Sequence, residues 1–144
     1  MNTLRLALSG ARKPGVYRFT GRSQPSTIRN EVERLGWRFF HLDGRAIADK
    51  RSFLAAGAAA MDFPNHFGRN WDALEDMLND LSWAPAPGYV LLYDDAGRLA
   101  AASPQDWETA LSIFRDMVER WQKEGVPVYV LLRRVGRGIE LPEL

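Results

Sequence analysis

The sequence has no cysteine, and only two of its 144 residues are histidine, His41 and His66. Without thiols there can be no disulfide scaffold, no thiolate zinc site and no cysteine nucleophile. Long apolar runs are missing too. The least polar stretch, Phe53 to Met61, is nine residues of mostly alanine, where a membrane span needs about 20. The amino-terminal MNTLRLALSGARKPG is a poor secretory signal, because Arg5 breaks its short apolar run and Arg12, Lys13 and Pro14 follow. The expectation is a cytoplasmic protein. There is no G-x-G-x-x-G, P-loop or G-x-S-x-G pattern. An excess of one charge is also absent. Nineteen Lys and Arg against eighteen Asp and Glu leave a net +1, which argues against a wholesale polyanion binder.

What the chain does have is core. Apolar residues make up 46%, enough for one domain of ordinary size. Its charge is segregated along the sequence. Residues 1–38 carry +6, residues 39–124 carry −6 and residues 125–144 carry +1. An acidic middle suggests a basic partner. A basic front suggests an internal counterweight or a second partner.

Periodicity gives alternating strands and helices. Gly15 to Thr20 reads as a short strand. SQPSTIRNEVERLG reads as a helix capped by Ser23 or Ser26, with Ile28, Val32 and Leu35 on one face and Gly36 at its end. WRFFHLDG is a strand closed by the turn pair Asp43-Gly44. Asp49 caps a helix over Lys50 to Met61, and Asn70 caps another. In the latter, Trp71, Leu74, Leu78 and Leu81 form one apolar stripe. YVLLYDD is a run suited to a strand covered on both faces. Ser103-Pro104-Gln105-Asp106 opens a long helix with Trp107, Leu111, Phe114, Val118 and Trp121 inward. VPVYVLLRR is the last strand, where Pro127 indicates an edge or a strand start. The pattern predicts an α/β domain with a small parallel sheet. The tail from Val135 is unassigned.

The helix NWDALEDMLND is the informative one. Asp72, Asp76 and Asp80 recur every four residues and so share one stripe, with Glu75 beside it. Like charges at this spacing cost a helix a few tenths of a kcal/mol. Asp72 recovers part of that near the positive end of the helix dipole. Two readings stay open: a solvated face, or an acidic ridge for a basic partner. His66, Phe67, Trp71 and Trp83 flank it in sequence. His41 reads as a packed strand residue, and one histidine with loose carboxylates is weak evidence for a metal or a general base.

FPNHFGRNWDALEDML (Phe63 to Leu78) resembles the signature of the barstar family, intracellular inhibitors of microbial ribonucleases of the barnase type. The resemblance runs upstream through FHLDGRAIADKRSFL and downstream through FRDMVERWQKEG, over about residues 37–133. It implies a three-stranded parallel sheet packed with helices. Residues 1–36 would be a basic strand-and-helix extension, and 134–144 a tail. It also implies that Asp72 and Asp76 take the place of substrate phosphate in the enzyme's active site. Asp116 matches the acidic residue contributed from the later helix. The family's aromatic positions are His66 and Glu75 here, so the target need not be barnase.

The reading is therefore a non-catalytic ribonuclease inhibitor or immunity protein, needing no cofactor and no metal. Its partner surface would comprise Asp72, Asp76, His66, Glu75, Asp80, Trp83 and Asp116. The expected partner is a basic-cleft ribonuclease or ribonuclease toxin, bound by a monomer. The alternative is a nucleic-acid-binding module that uses the basic front, with Arg5, Arg12, Lys13, Arg18 and Arg22 on phosphates. No RNA-binding signature accompanies those residues, so nucleic acid is the weaker expectation. A small enzyme using Asp72, Asp76 and His66 would need a concave pocket.

Overall fold

Two of the strands are buried at every position, and a strand of that kind needs cover on both faces. The computed structural model supplies it. It describes residues 3–64 and 67–144. The elements in chain order are α1 (Thr3–Leu6), a wider helical turn (Ala7–Ala11), β1 (Gly15–Arg18), α2 (Pro25–Glu33) and β2 (Arg38–Asp43). Then come a 3-10 turn (Gly44–Ala46), α3 (Lys50–Met61), α4 (Trp71–Asp80), β3 (Tyr89–Asp94), α5 (Gly97–Ala102), α6 (Pro104–Lys123) and β4 (Val128–Leu132).

The sheet is parallel, with order β1-β4-β3-β2 among the described residues. This corrects the expected three strands to four, because β1 pairs with β4 from Gly15↔Tyr129 to Arg18↔Leu132. Pro127 therefore precedes a central strand. It sits where a missing N–H breaks no ladder bond.

Strand alternation sorts the side chains into two cores. On one face Phe40, Leu91, Val130 and Val16 stand in register across all four strands. They pack against residues of α3, α4, α5 and α6, including Phe53, Leu74, Leu78, Leu99 and Phe114. On the other face Phe39, Val90, Leu92, Tyr129 and Leu131 pack against Ile28 and Val32 of α2, Leu4 of α1, and Leu8. Burying each such side chain fully is worth about 1.5–3 kcal/mol. The amino-terminal residues thus build the second core. Tyr129 ties them down: its hydroxyl donates to Ala7 O at 3.2 Å or Arg12 O at 2.5 Å. Its ring lies 6.3 Å from Tyr17 and 6.1 Å from Trp37.

The tail has a structural role. Arg18 N donates to Pro142 O at 2.8 Å, and Leu144 N donates to Arg18 O at 2.9 Å. The bridge Arg18↔Glu143 is parallel and covers the outer edge of β1, which would otherwise offer unpaired backbone groups.

Several local expectations change. The N-cap of α2 is Gln24, with Pro25 at the first helical position and no side-chain capping bond. Neither Ser23 nor Ser26 caps it. Leu35 is 44% exposed, because α2 ends at Glu33 and the chain turns at Gly36, φ 77°. Ser103 caps no backbone N–H of α6; its hydroxyl donates to Asp106 Oδ2 at 2.7 Å. Asp49, in contrast, forms a reciprocal capping box with Ser52.

Candidate protein-binding surface

Asn70 starts α4 as the spacing predicts. Its Oδ1 accepts from Ala73 N at 2.7 Å, satisfying one of the free donors of the first turn. Arg69 before it has φ 54°, and Leu81 after the helix has φ 52°, so both ends turn sharply. The inward face is anchored by buried Leu74, Leu78 and Leu81, with Trp71 half-buried against Phe53, 5.6 Å between ring centroids. Two indoles clamp the carboxyl end. Trp121 Nε1 donates to Leu78 O at 2.8 Å, and Trp83 Nε1 donates to Met77 O at 3.1 Å.

The outward face holds Asp72, Glu75, Asp76 and Asp80, all exposed. Asp80 accepts from Ser82 Oγ at 2.7 Å. Asp72, Glu75 and Asp76 enter none of the hydrogen bonds or ion pairs formed among the described residues. Asp116 is exposed on α6, the helix that packs beside α4. Trp83 is half-buried, its ring 5.1 Å from Phe63 and 5.9 Å from Phe40, so most of it belongs to the core. His66 lies outside the described residues.

The basic front is largely occupied elsewhere. Arg5 donates twice to Glu31, both at 2.9 Å. That holds the Glu31 carboxyl below its ordinary value. Arg12 donates to Glu143 O at 2.9 Å and lies 4.9 Å over the Tyr17 ring. Arg18 donates to Val135 O, Gly136 O and Ile139 O. Arg29 faces Glu33 at 3.7 Å and the Phe39 ring. These arginines fasten the extension and the tail to the sheet. None of them pairs with the acidic ridge.

A second constellation was not foreseen. At the carboxyl ends of β2, β3 and β4, buried Asp94 gathers three cationic or ionisable partners. Arg133 Nε donates at 2.5 Å, Arg134 Nη1 at 3.3 Å, and His41 Nε2 lies at 2.8 Å. Burial by itself would raise the Asp94 carboxyl. The bonds from Arg133 and His41 outweigh it, and the net shift is downward. The available signal was the pair Asp94-Asp95 and the pair Arg133-Arg134, each ending an apolar strand. Their register lies only in the sheet. Among the described residues, no group of three His, Asp or Glu side chains could hold a metal ion, and no helix is long and apolar enough to cross a membrane.

A profile of the family Barstar (barnase inhibitor) matches residues 37–133. The chain belongs to the barstar family. The match begins just before β2 and ends just after β4, so β1 and α2 lie outside it. Among curated proteins nothing matches. Among solved structures, the ORC2 protein of Aeropyrum pernix in its ADP form is similar at 16% identity and a TM-score of 0.58. The same protein in ADPNP-ADP complexes gives 14% and 0.59. This barstar-family chain is covered to 94% and 92% in the two comparisons but spans only 39% and 38% of those chains. At such identity the likeness is one of fold alone.

Proposed function

We propose that this protein is a non-catalytic inhibitor, an immunity protein, that blocks the active site of a microbial ribonuclease. The observation that carries this reading is the ridge: Asp72, Glu75 and Asp76 stand exposed on a firmly seated helix, unpaired among the described residues. A ribonuclease must hold an anionic phosphate, so its cleft is basic. Preformed carboxylates compete directly for that cleft. Asp72 and Asp76 take the place of phosphate, while Glu75, Asp80, His66, Trp83 and Asp116 meet its rim. Opposite charge also speeds encounter, and salt slows it.

The basic extension lies over the opposite face of the sheet from α4, which leaves the ridge uncovered. The carboxylates stand on an outward helix face rather than in an enclosed pocket, which supports binding over catalysis. With Arg5, Arg12, Arg18 and Arg29 engaged internally, the front is better suited to holding the fold than to gripping RNA. Glu75 at a position that is aromatic in the family favours a ribonuclease with a more basic rim, since specificity is a difference of affinities.

The test is RNA cleavage by a panel of barnase-type ribonucleases and ribonuclease toxins from the same organism, each with one equivalent of the protein. At least one should be silenced. Undiminished cleavage by all of them would sink the proposal. Asp76→Ala should weaken association by the cost of breaking a desolvated charge pair, about 2–5 kcal/mol, a range to which the family's own barstar–barnase complex contributes. Glu33→Ala, on the far side of the sheet, should change affinity by less than about 0.5 kcal/mol.

A further inference from the structure

We propose a second binding site, for a small phosphorylated ligand, at the carboxyl-terminal end of β1 and β4. A crevice of about 650 Å³ opens there, and its lining includes Arg18, Arg22, Arg133 and Arg134 but no carboxylate. In parallel α/β sheets this is the end at which ligands bind. The crevice shares no residue with the acidic ridge.

Two of the four arginines are framework. Arg133 Nη1 donates to Gly21 O at 3.0 Å and to Ser23 O at 2.8 Å, which fixes the course of the β1–α2 loop. Arg18 is half-buried, and its guanidinium is held by three carbonyls, at 2.7, 3.0 and 2.6 Å. Carbonyls orient a guanidinium without neutralising it, so Arg18 keeps its positive charge. Asp94 answers Arg133 at hydrogen-bond distance. It answers Arg134 at 3.3 Å, and Asp95 does so at 3.5 Å.

The other two arginines face solvent. The Arg134 side chain is 61% exposed. Arg22 is exposed and has no hydrogen bond or ion pair among the described residues. The crevice therefore combines pre-set walls with two exposed guanidinium forks, whose geometry suits phosphoryl oxygens. Its volume is that of a small-molecule site. Phe19, Pro25 and Val135 add an apolar part to the lining, which would accept the body of a nucleotide or a sugar phosphate.

Calorimetric titration of the full chain with pyrophosphate, ADP, inorganic phosphate and a single-stranded RNA octamer tests this. Pyrophosphate or ADP should bind with Kd of about 1 mM or tighter. Arg22→Ala and Arg134→Ala should each weaken binding at least about fivefold, because each removes a charge-assisted pair, with the melting temperature of Arg22→Ala unchanged. Equal affinity for phosphate and ADP would assign recognition to the phosphoryl group, and tighter ADP would add the apolar lining. No heat from either pyrophosphate or ADP up to about 10 mM overturns the proposal. So does binding that survives both substitutions, and so does binding of the RNA alone.

Discussion

At the scale of single residues, Asp94 has the largest structural consequence. It is 6% exposed and sits opposite Arg133, which is 8% exposed. A buried pair of this kind adds little net stability over an apolar pair, but breaking it is costly because one charge is left behind. Asp94→Ala strands the Arg133 guanidinium and should cost about 3–5 kcal/mol, read from urea unfolding. A loss near zero would mean that Arg133 escapes to solvent in the variant. The ridge residues contrast with Asp94. Asp72, Glu75 and Asp76 are exposed and make no hydrogen bond or ion pair among the described residues, so their worth to the fold is small. Their identity was readable from spacing and from the motif. Asp94 was not, because no local pattern reveals that positions 41, 94 and 133 share one end of a sheet.

At the scale of elements, the caps of α3 and α4 and the apolar stripes were the most legible features, whereas the expected caps of α2 and α6 did not form. Asp49 and Asn70 cap α3 and α4 as their side chains dictate. The apolar stripe of α4 turns inward because a helix in water must bury its one greasy face. Asn70→Ala should lower stability by about 1 kcal/mol and loosen the first turn that carries Asp72. Hydrogen exchange at Ala73, whose N–H bonds the Asn70 side chain, would report it, and unchanged exchange there would contradict the capping role. The elements that the sequence hid are the ones without a pattern of their own. Thr3–Leu6 is a single turn. Gly97–Ala102 is six residues starting at a glycine where a Cβ would meet Arg134 O at 2.8 Å. Leu35 read as a core residue only because the helical period was carried two residues past the true end at Glu33.

At the scale of the whole molecule, acid should unfold the protein in a defined direction. Asp43 is held down to about 2 by the side-chain bond and then the backbone bond from Arg45. Glu31, Asp49 and Asp94 are also shifted downward. Groups with lowered folded-state values stabilise fully above their ordinary range, 3.8 for Asp and 4.5 for Glu. That contribution is lost as pH falls through the folded values. The melting temperature should therefore hold down to about pH 5 and drop steadily toward pH 2. A flat profile across that window would refute the linkage. The sequence by itself determined the class of the domain, the caps of α3 and α4, its acidic ridge and its family, because these depend on residues close together in the chain. Tertiary structure decided the rest. Pairing of β1 with β4 made the sheet four-stranded and brought α1 and α2 onto its second face. It sent the arginines of the front to Glu31, Glu33 and tail carbonyls rather than to the ridge. The strand pairing and the tail contacts span more than a hundred residues, as between Arg12 and Glu143 or Tyr129 and Ala7, and no local periodicity encodes a partner at that distance.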